Sequence, residues 1–160
     1  MFRKPEIPAD PSVVGKLLLE NVKGWIDPSL PQITNLANLS ALLMAFLEDV
    51  SWAGFYLWDG KRLVLGPFQG LPACTEIAMG KGVCGKAAEL RRTVLVEDVD
   101  QFPGHIACDS ASRSEIVVPI VLRDDTLFGV LDLDSPLLSR FKETEKKLLE
   151  GVVDLLVDIL

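Results

Sequence analysis

Three cysteines, Cys74, Cys84 and Cys108, are the residues of this 160-residue chain best suited to covalent chemistry. All three fall in or beside segments rich in glycine or polar residues, outside the apolar stripes of the chain. A redox cycle needs one thiol to attack and a second to resolve the product. An unperturbed cysteine is only about 3% thiolate at pH 7, given a pKa near 8.5, so local help is required. Cys84 sits between Gly82 and Gly85 at the start of an expected helix, with Lys81 and Lys86 nearby. A helix N-terminus and those cations favour a thiolate. Cys108 has His105 and Arg113 close in sequence, and Asp109 working against ionisation. The gaps of 9 and 23 intervening residues match no C-x-x-C signature. His105 and Cys108 form H-x-x-C, and with Cys74 and Cys84 they make a Cys3His set. Its spacing is too irregular for a common zinc knuckle, so the expectation is no bound metal.

An acidic trio accompanies the thiols. In Leu131-Asp132-Leu133-Asp134 the two aspartates share one face of a strand and the two leucines the other. With Glu115 on a neighbouring strand, three carboxyl groups would converge near the Cys108 loop. Crowded carboxylates raise one another's pKa, which leaves one able to give up a proton near pH 7. They also suit an ammonium group. Trp52 and Tyr56 share a strand face under strict alternation, with Phe55 turned away. An aromatic wall beside carboxylates fits a small amphipathic ligand.

The elements that must position these side chains are legible in the hydrophobic periods. Val14, Leu17, Leu18, Val22 and Trp25 repeat at helical spacing, and Ile33 to Leu47 carry a second stripe. SWAGFYLWDG and KRLVLGPFQG read as a hairpin turning at Asp59-Gly60. A glycine-punctuated stretch spans Gly70 to Gly85, followed by a short helix from Lys86 to Arg91 and a strand from Thr93 to Val96. A polar loop runs from Asp98 to Ser114, long enough to expect a functional role. IVVPIVLRDD and TLFGVLDLDS form a second hairpin, with Pro119 implying an edge or a bend. A last helix carries Phe141, Leu148, Leu149, Val152, Leu156 and Ile159 on one face, with Ser139 able to cap it. Helices segregated from two antiparallel hairpins give an α+β fold with a central sheet.

Composition narrows the function classes. A net charge of −7 lacks the basic face that phosphate backbones require, which argues against nucleic acid. The densest apolar run, Leu39 to Leu47, falls short of the ~18 residues a membrane span needs. MFRKPEIPAD lacks the apolar core of a signal peptide, so the expected compartment is a reducing cytosol. One domain is expected from residue 11 to 160, with residues 1–10 as a short arm. The chain is long enough to fold on its own core, without disulfides.

The ordered motifs WAGFY (52–56), LGPFQG (65–70), PAC (72–74), GVCG (82–85), FPGHIACDS (102–110), SEIVVP (114–119) and GVLDLDS (129–135) closely resemble the free methionine-R-sulfoxide reductases, small enzymes built on a GAF domain. The resemblance spans nearly all of residues 15–156. It departs only at Leu133 and Lys81, where isoleucine and arginine are frequent. It implies a GAF-like central antiparallel sheet flanked by helices, in a homodimer that works on free rather than protein-bound methionine sulfoxide. Thioredoxin is implied as reductant, with no cofactor. By position Cys108 resembles the nucleophile, and Cys74 and Cys84 the resolving and auxiliary cysteines. Glu115, Asp132, Asp134, Trp52 and Tyr56 correspond to the substrate pocket. The rival reading is a small-molecule-sensing GAF module without catalysis.

Overall fold

The structure is a computed structural model that describes Phe2 and residues 6–106, 108 and 110–160. Two helices come first, α1 (Pro11–Trp25) and α2 (Gln32–Phe46). Asp10 caps α1 by accepting from the Ser12 N–H at 2.8 Å, and Pro11 opens the helix where no N–H is needed. The first hairpin follows as β1 (Trp52–Trp58) and β2 (Arg62–Gln69). Asp59 Oδ1 closes its turn by accepting from the N–H groups of Lys61 and Arg62, and Gly60 takes the left-handed φ of 93° that the turn demands. Next come β3 (Glu76–Ala78), α3 (Gly82–Leu90) and β4 (Val94–Val96). A single 3-10 turn (Val99–Gln101) then leads into β5 (Ser114–Val121), β6 (Leu127–Ser135) and α4 (Glu143–Val157).

The six strands form one antiparallel sheet ordered β3-β2-β1-β6-β5-β4. This confirms the expected α+β layering. Period-two alternation divides the strands between two cores. Phe55, Ile116, Val118, Leu131 and Leu133 face one side, packed with Leu18, Leu39, Phe46, Leu149, Val152 and Leu156 from α1, α2 and α4. Trp52, Tyr56, Leu63, Val117 and Val130 face the other side, packed with Val83, Ala87 and Ala88 of α3. Each buried large apolar side chain stabilises the fold by about 1.5–3 kcal/mol. The three-helix face is therefore the thermodynamic anchor, and the thinner α3 face has room for polar groups.

Several local expectations are corrected. The short helix starts at Gly82, not Lys86, because Gly82 adopts φ 58° and Gly85 lets α3 press onto the Ala78 carbonyl. The stretch before it contains β3, which was not anticipated. Pro119 is not on an edge strand: β5 lies between β6 and β4, but β4 pairs only with residues 115–117, so Pro119 lies beyond its end. The register slips immediately after, between Ile120 and Val121. Ser139 does not cap the last helix. It takes φ 50° and donates its N–H to the Glu97 carbonyl, and α4 begins four residues on, where the Glu145 carboxylate accepts from the Lys142 N–H at 3.1 Å. Phe141 precedes α4, yet it is buried.

Gly129 marks the tightest point in the sheet. A Cβ there would overlap the Tyr56 carbonyl oxygen and lie 3.0 Å from the Leu57 Cα, both backbone atoms that cannot swing aside. Gly129→Ala is expected to lower stability by about 3 kcal/mol. Gly24→Ala, where a Cβ meets nothing within 4 Å, should be neutral or mildly stabilising. Urea unfolding of the two variants checks this contrast, and equal losses would contradict it.

Candidate active site

On the α3 face, antiparallel pairing sets three carboxyl groups side by side. Glu115 of β5 is directly opposite Asp134 of β6, and Asp132 lies two residues along the same face. On the other flank of β6, Trp52 pairs with Asp134 and Gly54 with Asp132. A side chain at Gly54 would collide with Phe68 and the far edge of the Trp52 indole, so glycine makes space for that ring. Trp52 stacks between Tyr56 at 5.9 Å and Phe68 at 5.3 Å. The alternation expected for Trp52, Phe55 and Tyr56 holds.

The aromatic pair also secures the segment that carries Cys74. Trp52 Nε1 donates to the Leu71 carbonyl, and Tyr56 Oη donates to the Cys74 carbonyl, each at 3.1 Å. Cys74 is thereby held against the 98–114 loop, where it is joined to Cys108 by a disulfide with Cα atoms 5.4 Å apart. The two residues are 34 apart in sequence. In this disulfide form both sulfurs are engaged with each other, so neither is available to the Cys3His grouping. Asp109, expected to oppose ionisation of Cys108, lies outside the described residues.

Cys84 occupies a different environment from the one its neighbours in sequence suggest. It is 3% exposed in the first turn of α3, packed onto the carboxyl groups rather than facing Lys81 and Lys86. Lys86 turns to Glu89, 2.6 Å away. Burial pushes the Cys84 thiol well up, and the charges of Asp132 and Glu115 push it further. The expected thiolate at Cys84 is therefore corrected: desolvation and two acids outweigh the helix terminus.

The carboxyl groups are pushed in the same direction. Burial, then the charge of Asp134, raises Glu115; burial, then Asp134 and Glu115, raises Asp132. Asp132 Oδ1 is buried with no hydrogen-bond partner among the described residues. Asp134 accepts from Ser112 Oγ at 2.9 Å, and His105 Nε2 stands 3.7 Å from Glu115 Oε2. Ser112 was not singled out in the sequence; its only signal is its place in the polar loop. These groups line a small pocket, about 30 Å3 of free volume in this disulfide form, with Trp52, Tyr56, Leu71, Pro72, Ala73 and Cys108. Cys84 lies beneath it, within 4.8 Å of Glu115 and Asp132 ligand atoms.

Raised carboxyl pKa values have a defined effect on stability. The native state favours the protonated forms, so their contribution is complete below the ordinary values of 3.8 and 4.5. It is lost as pH climbs through the raised native values. Melting temperature is therefore expected to fall as pH rises above about 4.5, and Asp132→Asn should flatten that fall. The exposed Asp10, Asp27, Asp59 and Asp124, lowered mainly by turn hydrogen bonds, are already ionised in that range. A pH series of melting curves on both proteins checks this; parallel profiles would contradict it.

The chain as a whole is matched among known proteins. The GAF domain model matches residues 33–158. The free methionine-R-sulfoxide reductase of Escherichia coli is 48% identical over 128 residues, 80% of this chain and 77% of that protein. The chain belongs to the free methionine-R-sulfoxide reductase family of GAF domains. The yeast Saccharomyces cerevisiae family member is 42% identical over 146 residues, covering 87% of this chain and 81% of its own. The Neisseria meningitidis family member, solved in complex with its substrate, superposes with a TM-score of 0.91 at 41% identity, covering 99% of this chain and 95% of that one. Among the described residues, no helix is long and apolar enough to cross a membrane.

Proposed function

We propose that this chain reduces free L-methionine-(R)-S-oxide to L-methionine, with Cys108 as nucleophile and Cys74 as resolving thiol. The observation that carries this reading is a single pocket in which the Cys74–Cys108 pair meets Glu115, Asp132 and Asp134 across from Trp52. A sulfoxide has an electron-poor sulfur and a basic oxygen. Cys108 thiolate attacks the sulfur while a carboxylic acid protonates the oxygen. The hydroxyl passes to Cys108, methionine leaves with the sulfur reduced by two electrons, and Cys108 becomes a sulfenic acid. Cys74 then condenses with it, forming the disulfide and releasing water. A dithiol returns two electrons and two protons by exchange, and thioredoxin is the reductant this reading implies.

The carboxyl groups divide the remaining work. Glu115, held toward its neutral form by burial, supplies the proton. Asp134, oriented by Ser112, and Asp132, with its free Oδ1, receive the substrate ammonium. That cation offsets the repulsion between carboxylates and the Cys108 thiolate. Trp52 packs against the S-methyl group and selects the epimer, with Tyr56 behind it. A peptide-linked sulfoxide has no ammonium to offer and would leave buried acids unpaired, at a cost of about 1–3 kcal/mol or more. The same reading places the chain in the cytosol as a homodimer, with residues 11–160 as the catalytic domain. The test is to incubate the protein with racemic free sulfoxide and a dithiol. The R epimer should be consumed, and the S epimer and peptide-linked sulfoxide should persist. Equal consumption of both epimers would overturn the reading.

A further inference from the structure

We propose that Cys84, Glu115 and Asp132 form a binding site in the pocket floor for a thiophilic divalent cation such as Zn2+, and that occupancy shuts the substrate out. One donor atom from each side chain lies within 4.8 Å of the other two, and all three residues are buried. Independently, Asp132 Oδ1 is a buried acceptor with no hydrogen-bond partner among the described residues. An orphaned oxygen of this kind costs free energy until a cation or donor reaches it.

The donor set matches the chemistry. One thiolate and two carboxylates suit a borderline-soft ion, which takes sulfur at about 2.3 Å and oxygen at about 2.0–2.2 Å. Tetrahedral coordination places such donors roughly 3.4–3.6 Å apart, a spacing inside the 4.8 Å within which the three donor atoms already stand. The fourth position opens toward the pocket. Binding releases the Cys84 proton, and any held by the carboxyl groups, to solvent; nothing is oxidised or reduced. The site uses the one thiol outside the Cys74–Cys108 bond, so it persists in the oxidised protein. Because Glu115 and Asp132 are the groups assigned to the substrate, the cation and the amino acid exclude each other. Only this inhibitory consequence rests on the proposed function; the binding itself does not.

Co2+ is the probe, added to protein in the Cys74–Cys108 disulfide form. One equivalent should produce a sulfur-to-cobalt charge-transfer band in the near ultraviolet, and Zn2+ should bleach it. Cys84→Ser should abolish the band. Asp132→Asn and Glu115→Gln should each weaken binding roughly tenfold or more, and they serve as the variants if Cys84→Ser does not fold. No band in the unsubstituted protein, or a band surviving in Cys84→Ser, overturns the proposal. In the reductase assay, Zn2+ should raise the KM for free sulfoxide without lowering kcat. A band in a protein without reductase activity would support the cation site and refute the proposed function. Activity without a band would do the reverse.

Discussion

Replacing Cys108 by serine is expected to abolish methionine release even in a single turnover, with a loss on the order of a thousandfold or more. A hydroxyl at that position is a far weaker nucleophile toward sulfur and is not ionised near neutral pH, so it cannot accept the transferred oxygen. The pocket itself should survive. Cys108 sits on the 98–114 loop rather than in either apolar core, and Asp134 keeps its Ser112 hydrogen bond. The variant should therefore still bind free sulfoxide while failing to convert it. Rapid quench of reduced protein with stoichiometric substrate, together with calorimetric binding, separates those two properties. Full single-turnover release by Cys108→Ser would remove that residue from the nucleophile role.

The second large effect separates the two remaining cysteines. Cys74→Ser should release methionine once and then stop, leaving a sulfenic acid on Cys108 that a dimedone probe can trap. Steady-state turnover with a protein dithiol should fall roughly a hundredfold, because no intramolecular disulfide is available for exchange. Cys84→Ser should still form the Cys74–Cys108 disulfide. The reason is positional: Cys74 reaches Cys108 across a 5.4 Å Cα separation, whereas Cys84 is packed beneath the carboxyl groups with its thiol pushed toward the neutral form. A normal steady state in Cys74→Ser would refute resolution through Cys74.

What the sequence revealed of this site follows from how local each feature is. The shared face of Asp132 and Asp134, and the opposite facing of Phe55 against Trp52 and Tyr56, follow from the period of a strand and were legible. So was the hairpin at Asp59-Gly60, whose left-handed glycine is a local demand. The convergence of Glu115 on Asp134 required only that two adjacent strands pair, and the register delivers it. Cys84 shows where locality ends. Its neighbours in sequence are lysines and glycines, yet its neighbours in space are acids delivered by β5 and β6, and desolvation reversed the expected shift. Ser112 and the carbonyl contacts that secure Leu71 and Cys74 were illegible for the same reason. Hydrogen bonds between a loop and a sheet leave no periodic trace. At Ser139 a plausible capping residue lost to a tertiary bond, its N–H being taken by Glu97.

The most direct test is a peptide map of fully reduced protein after one equivalent of free R sulfoxide, with remaining thiols alkylated. One methionine per chain should appear together with a Cys74–Cys108 cross-linked peptide and an alkylated Cys84. Methionine release with Cys108 still alkylatable, or a cross-link that forms without methionine, would contradict the account.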